Sequence, residues 1–270
     1  MPAILLSDIQ LYYEEHGHGE PLVLIPGLSA GLWIWFKQTA PLSRQFRVIT
    51  FDPRGIGRSP ASAEPLTIRL LADDVAALLH GLGLLRAHIL GASFGGFVAQ
   101  EFALAYPEMT RTLSLCCTSF GGPNHVAPSM ETLIAVTSTN GFNTKERIRR
   151  MLLPAFSPEF AREHPDEVER TVNLRLANTL AEEVYRSQLS AAVGFNIEPR
   201  VSAIEAPTLV LSGDADAIVP VENSRNLAAK IPGAELRTIE GGSHLFFIER
   251  PEEFNGVVSE FLGSYSVASC

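Results

Sequence analysis

Gly91-Ala92-Ser93-Phe94-Gly95 lies where an apolar run, Ala87-His88-Ile89-Leu90, gives way to a helix-patterned stretch from Phe94 to Tyr106. A Gly-x-Ser-x-Gly pentapeptide between strand and helix reads as a tight turn that presents the serine oxygen at its apex. Glycines flank the serine because such a turn packs its backbone against its neighbours and leaves no room for β-carbons. The pattern alone is weak evidence. Glycine fills 21 of the 270 positions, and a second match, Gly27-Leu28-Ser29-Ala30-Gly31, occurs upstream. Context has to separate the two.

Working outward, strand and helix signals alternate. Leu22 to Ile25 is a continuous apolar run of buried-strand type, stopped by Pro26-Gly27. Two short strands are expected within 4–16, and others at 46–51, 87–92, 112–117, 207–212 and 235–239. Helices are expected at 32–43, 66–82, 94–106, 221–230 and 251–262. This alternation implies crossover units and a parallel sheet covered on both faces. Residues 121–200 break the rhythm: they hold no strand signal, and Met130–Thr139, Lys145–Leu152, Asp166–Asn178 and Ala181–Val193 read as helices between prolines. The expected organisation is a core of 1–120 and 201–270 with a helical insertion, 121–200. Such an insertion is expected to form a lid over the carboxyl edge of the sheet, where ligands of open α/β sheets bind; a packing appendage away from that edge is the alternative.

Hydrophobic content of 46% and charged content of 19% describe a globular chain. The net charge is −9, and the short basic stretch Lys145–Arg150 reads as one solvated helix face, so no nucleic-acid partner is expected. The apolar runs are too short to span a bilayer, and Met1-Pro2-Ala3-Ile4 does not open a secretory signal. A cytoplasmic protein with no membrane partner is expected. Three cysteines do not make a disulfide framework; Cys116 and Cys117, adjacent in an expected strand, read as buried thiols on opposite faces in a reducing compartment. Neither zinc-site spacing nor a nucleotide-binding glycine fingerprint is found, so no metal or cofactor is expected. The sequence is silent on oligomeric state.

A serine hydroxyl is a poor nucleophile at neutral pH and needs a base in hydrogen-bond reach, itself oriented by a third group. Of seven histidines, His244 follows the last strand directly, in Glu240-Gly241-Gly242-Ser243-His244, and so belongs to a loop at the carboxyl edge. The acid is expected after a strand near the elbow strand. Leu209-Val210-Leu211-Ser212-Gly213-Asp214-Ala215-Asp216 offers two candidates; Asp216, deeper in the loop, is preferred and Asp214 is the alternative. The order Ser93, Asp216, His244 is the order of nucleophile, acid and base in α/β-hydrolases.

On these residues the chain resembles the α/β-hydrolase fold superfamily, in its small form with a helical cap. The matching pieces span nearly the whole chain: Pro26-Gly27-Leu28, Asp52-Pro53-Arg54-Gly55-Ile56-Gly57-Arg58-Ser59, the Ser93 elbow, Gly213 to Pro220, and Gly242-Ser243-His244. Pro26 stands where many relatives carry histidine. The resemblance implies a mostly parallel eight-stranded sheet flanked by helices, with an all-helical cap. It also implies an oxyanion hole made by the backbone N–H groups of Leu28 and Phe94. Ser29 then belongs to the oxyanion loop and Ser93 is the nucleophile; the Asp52–Ser59 loop is a structural turn. Trp33, Phe120, Phe142, Phe195 and Phe246, with Phe94, are candidate walls of an apolar substrate pocket, although core packing accounts for buried aromatics equally well.

The activity so implied is hydrolysis of a small carboxylic ester or lactone through an acyl-enzyme. An apolar pocket and an acidic surface favour neutral or weakly charged substrates. Serine at the elbow argues against the haloalkane dehalogenases and epoxide hydrolases, which use aspartate there. The same triad serves carbon–carbon hydrolysis of diketo acids, enol-lactone hydrolysis, and perhydrolysis in the manner of cofactor-free haloperoxidases. Carbon–carbon hydrolases offer arginine or asparagine to a substrate carboxylate, and no such residue is identified from the sequence. A weakly catalytic ligand receptor is the reading from another class.

Overall fold

A computed structural model describes residues 3–6, 8–62, 64–138 and 143–266. In chain order the elements are β1 (Ala3–Leu5), β2 (Gln10–His16), β3 (Glu20–Ile25), a 3-10 turn at Leu32–Trp35, α1 (Thr39–Leu42), β4 (Phe46–Phe51), α2 (Ile68–Gly81), β5 (Ala87–Ala92), α3 (Phe94–Ala105) and β6 (Thr110–Cys116). Five helices follow: α4 (Met130–Thr137), α5 (Lys145–Leu152), α6 (Pro158–Glu163), α7 (Pro165–Ala177) and α8 (Glu182–Val193). The chain then returns to the sheet with β7 (Thr208–Gly213), α9 (Glu222–Lys230), β8 (Glu235–Ile239), α10 (Phe246–Glu249) and α11 (Pro251–Gly263).

The eight strands form one sheet in the order β1-β2-β4-β3-β5-β6-β7-β8. Pairings from β4 through β8 are parallel, while β2 joins β1 and β4 antiparallel. The continuous apolar run of β3 follows from burial on both faces. Val23 and Ile25 join the core layer under α2, α3 and α9, whereas Leu22 and Leu24 join the layer under α1 and α11. This is the alternation that a strand covered on both sides requires.

Strand order also locates the site. From β3 the chain crosses to β4 over one face, through α1; from β5 it crosses to β6 over the other face, through α3. Adjacent strands whose connections leave on opposite faces open a crevice at their carboxyl ends. The two Gly-x-Ser-x-Gly segments leave β3 and β5 at that crevice.

Helices α4–α8 are inserted between β6 and β7. Entry and exit of the insertion are paired: Ile197 N donates to the Phe120 carbonyl at 3.0 Å and Gly122 N to the Phe195 carbonyl at 2.9 Å, around a bridge between Gly121 and Asn196. Two details depart from the sequence reading. The helix expected over 32–43 is a 3-10 turn and a short α1, because Trp33, Ile34 and Trp35 are buried consecutively, which a helix with one buried face cannot satisfy. A helix that the sequence reading does not expect, α6, starts at Pro158: Ser157 caps it by accepting from Phe160 N at 3.1 Å, and proline suits the first helical position.

Among the described residues no helix is long and apolar enough to cross a membrane. The Asp52–Ser59 loop is a self-bonded turn. Asp52 accepts from Leu32 N and Arg58 N, both at 3.0 Å, and Ser59 Oγ donates to its carbonyl oxygen. Buried Arg54 reaches from the same loop to Asp74 on α2 and to Asp8.

Candidate active site

Ser93 joins β5 to α3 with φ 54° and ψ −119°, a conformation that side-chain-bearing residues avoid. Such strain costs about 1–3 kcal/mol and persists only where surroundings over-determine it. Here Ser93 N donates to the Cys116 carbonyl, and its own carbonyl accepts from Gly96 N and Thr118 Oγ1, all at 2.8 Å. The flanking glycines are required by close approach. A β-carbon on Gly95 would overlap the carbonyl oxygens of Ile25 and Pro26, and one on Gly91 would overlap the Gly95 backbone.

Beyond β7, Asp216 Oδ1 accepts from the amides of Ile218 and Val219, both at 2.8 Å, while Oδ2 lies 2.8 Å from His244 Nδ1. Both side chains are buried. With the carboxylate accepting from Nδ1–H, the lone pair of His244 falls on Nε2, the tautomer a general base needs. The alternative acid, Asp214, is exposed and accepts from Gly241 N at 2.7 Å, closing the turn that leads to His244. The histidine loop is itself anchored to the insertion: Ser243 Oγ and Leu245 N donate to the Ala155 carbonyl at 2.6 and 2.8 Å.

Ser93 and His244 line one cavity of about 210 Å³, and Leu28, Phe94 and Trp33 line it as well. The Gly27–Ser29 loop lies against the elbow; a β-carbon on Gly27 would sit 3.5 Å from Ser93 Cβ and 4.0 Å from its Oγ. Phe94 is the first residue of α3, so its N–H has no acceptor within the helix, and the positive end of the helix dipole faces the serine. On the loop, Ser29 takes a left-handed φ of 58°, and its N–H donates to Gln188 Oε1 of α8 at 2.9 Å.

A strained serine, the histidine of a buried histidine–carboxylate pair and the Gly27–Ser29 loop thus line one cavity at the switch point of a doubly wound sheet. The family profile described as alpha/beta hydrolase fold matches residues 20–251. The chain belongs to that family. Among its relatives, RutD of Caulobacter sp. (strain K31), named provisionally as a carbamate hydrolase, is 31% identical over 261 residues, covering 93% of this chain and 95% of its own. The enol-lactonase from Burkholderia xenovorans LB400 is 27% identical, with a TM-score of 0.85 over 97% of this chain and all of its own. A thermophilic esterase from Thermogutta terrifontis is 27% identical, with a TM-score of 0.86 over 99% of this chain and all of its own.

In this α/β-hydrolase the aromatic candidates separate into two groups. Trp33 and Phe94 line the cavity. Phe120, Phe195 and Phe246 do not, which corrects the expectation that they form its wall. Phe195 stacks behind the lining residue Phe97 at 4.4 Å, Phe120 lies in the core beneath Lys230, and Phe246 packs on Phe254. Phe246 and Phe247 are consecutive on a helical turn, so only one of them, Phe247, reaches the cavity. Phe142 lies outside the described residues.

Two of the lining residues that the sequence reading did not place at the site, Cys117 and Arg175, carry reactive or charged groups. Cys117 is not in a strand: it follows β6 with φ 42° and turns its thiol toward the histidine–aspartate pair. Cys117, Asp216 and His244 offer metal-type atoms within 4.8 Å of one another. Burial pushes the thiol well above its ordinary range, so it is protonated and a poor ligand, and Asp216 is already bonded to His244. The trio suits proton handling better than metal binding. The other is Arg175, near the end of α7, which brings a buried guanidinium to a cavity otherwise lined mainly by apolar side chains.

Proposed function

We propose that this α/β-hydrolase cleaves a small carboxylic ester or lactone through an acyl-enzyme on Ser93. The observation that carries this reading is the bond between His244 Nδ1 and Asp216 Oδ2 at 2.8 Å, in a pair whose histidine shares its cavity with the elbow serine. Ser93 Oγ attacks the acyl carbonyl carbon while His244 Nε2 takes the hydroxyl proton, and Asp216 stabilises the imidazolium. The carbonyl oxygen becomes an oxyanion held by the N–H groups of Leu28 and Phe94; one such donor is worth about 3 kcal/mol in transition-state stabilisation. On collapse the carbon–oxygen bond to the alcohol breaks, and His244 returns the proton to the departing oxygen. Water, deprotonated by His244, then attacks the acyl-enzyme, releasing the acid and restoring Ser93.

The cavity volume of about 210 Å³ and its largely apolar walls favour a small acyl group. The names of the relatives extend from enol-lactone and ester to carbamate. All three classes present an acyl carbonyl with a heteroatom leaving group, so the same machinery serves each.

The test is a pair of serine variants assayed on p-nitrophenyl acetate and butyrate. Ser93→Ala should lower kcat by roughly 10⁴-fold or more, while Ser29→Ala, which keeps its backbone N–H, retains most activity. A serine-directed phosphonate should add its mass to the peptide containing Ser93. The reverse pattern would overturn the assignment. A single slow turnover by the wild type would favour the ligand-receptor reading instead.

A further inference from the structure

Two of the hydrogen bonds that hold Ser93 in its strained turn come from main chain alone. Ser93 N donates to the Cys116 carbonyl at the end of β6, and Gly96 N donates to the Ser93 carbonyl, both at 2.8 Å. Strand and helix supply these whatever side chains they carry. A third bond is written into the sequence. Thr118, two residues beyond β6, donates from Oγ1 to the same Ser93 carbonyl oxygen at 2.8 Å.

Threonine suits that place. Its branched β-carbon stiffens χ1, so the hydroxyl is aimed rather than free to turn. Thr118 is fully buried and wedged against the first turn of α3: a β-carbon on Gly96 would sit 2.5 Å from both its Oγ1 and its Cγ2. The main chain around it is anchored on two sides. Cys117 N donates to the Leu211 carbonyl at 2.9 Å, on the strand β7 that leads to Asp216. Buried Gln100 of α3 spans the other side, its Nε2 donating to the Gly96 carbonyl at 2.9 Å and the Ser119 carbonyl at 2.8 Å. The exit from β6 thus joins the serine turn, the start of α3 and the strand of the acid.

We propose that Thr118 is a positioning residue for the nucleophile: its hydroxyl holds the main chain of Ser93 in the turn that aims Oγ at the acyl carbon. As a donor the hydroxyl is committed to that carbonyl, so it acts through the turn and not on the substrate. Without it the Ser93 dihedral angles relax toward ordinary values, and Oγ leaves its line of attack. The cost falls on the chemical step, because the walls that bind substrate stay where they are. This rests on the reading of Ser93 as an acyl-transfer nucleophile, to which it adds a residue that sets the aim.

The experiment compares Thr118→Val, Thr118→Ser and Thr118→Ala on p-nitrophenyl acetate and butyrate, with the rate of Ser93 labelling by a serine-directed phosphonate. Valine keeps the shape and removes the hydroxyl; serine keeps the hydroxyl and loses a methyl group. Thr118→Val should lower kcat about tenfold, by the same factor on both esters, with KM within about threefold of wild type. Thr118→Ser should keep kcat within about threefold of wild type. Thr118→Ala differs from Thr118→Ser by the oxygen alone; it should behave as Thr118→Val does and serves if that variant does not fold. Thr118→Val as fast as Thr118→Ser, or faster, would show a residue that only packs. A loss carried by KM, or differing between the two esters, would show a substrate contact; either result overturns the proposal and leaves ester hydrolysis standing. Should the wild type hydrolyse neither ester, phosphonate labelling carries the same ranking. Should Ser93 not be labelled either, the nucleophile reading has failed, and amide hydrogen exchange decides the positioning: the Ser93 and Gly96 N–H groups should exchange about tenfold faster in Thr118→Val than in Thr118→Ser, and equal protection overturns it.

Discussion

Replacing Gln188 by methionine tests whether the cap sets the oxyanion hole. The buried Gln188 Oε1 accepts from Ser29 N at 2.9 Å, and Ser29 holds a left-handed φ of 58°. For a residue with a side chain that conformation costs about 1–2 kcal/mol. The net worth of one hydrogen bond is about 0.5–1.5 kcal/mol, and leaving a buried donor unpaired costs about 1–3 kcal/mol. In Gln188→Met the side-chain volume stays but the acceptor goes, so the term that offsets the strain disappears. A relaxation of about 1–2 kcal/mol shifts a two-state equilibrium about 5–30-fold. The peptide unit between Leu28 and Ser29 adjoins the one that carries the Leu28 N–H, so relaxation of Ser29 would move that N–H off the position the proposed oxyanion needs. The expected result on p-nitrophenyl butyrate is a fall in kcat of about 5–30-fold with KM little changed, since the oxyanion forms only after binding. Urea unfolding of the same variant reports the stability cost separately. A kcat equal to wild type alongside a stability loss of about 1–3 kcal/mol would show that Gln188 merely packs the cap, and the reasoning would fail.

Two further outcomes follow from buried charges. Arg54 is 1% exposed and bonds Asp74 Oδ2 through Nε at 2.6 Å; Arg54→Leu leaves that carboxylate buried alone and should cost about 3–5 kcal/mol by urea unfolding. Adding Asp74→Leu should return part of the loss, and a single variant within about 1 kcal/mol of wild type would refute the pairing. His88, enclosed between Thr112 and Glu20, has its pKa lowered mainly by burial. Its folded-state value lies below the unfolded one, so its stability contribution is complete above the unfolded pKa, about 6.5. As pH falls below that value the unfolded chain takes up the proton first, and stability declines toward the one-proton limit of about 1.4 kcal/mol per pH unit. His88→Gln should flatten that part of the stability profile; an unchanged slope would assign it to other groups.

The central architecture was legible because burial on both faces leaves a plain trace. β3 reads as a strand from an unbroken apolar run and β5 from one interrupted only by His88, and the glycines around Ser93 mark a place where a β-carbon would strike backbone atoms. That His244 would meet a carboxylate from the loop after β7 was legible from chain order and from the position of both residues after strands. Choosing Asp216 over Asp214 was weaker; what separates them is which carboxylate meets His244 and which meets Gly241 N, a matter of loop path. The pocket wall was not legible. Phe246 and Phe247 are chemically identical neighbours, and only the rotation of α10 decides which faces the cavity. Arg175 and Gln188 were hidden for a different reason. On helices of a mainly polar insertion, such side chains are expected to face water, and only the docking of α7 and α8 onto the site turns them inward.

That docking changes what the cap is for. It bonds to two loops that line the cavity around Ser93: Gln188 holds the amide of Ser29, and the Ala155 carbonyl accepts from Ser243 Oγ and Leu245 N on either side of His244. Glu249 strengthens the second attachment by accepting from Ser157 N at 2.6 Å and Ser243 N at 3.1 Å. Lifting the cap as a rigid body would break the Gln188 bond, the two to Ala155 and the one between Ser157 and Glu249 together. At a net worth of about 0.5–1.5 kcal/mol for each bond exchanged for water, these four bonds alone resist opening by about 2–6 kcal/mol. The inserted helices thus hold the Gly27–Ser29 loop and the His244 loop in place around Ser93, and under the proposed function they would be part of the catalytic device. Stripped of residues 121–200, the sheet would keep Ser93, Asp216 and His244 but lose the bonds that fix the Ser29 and His244 loops.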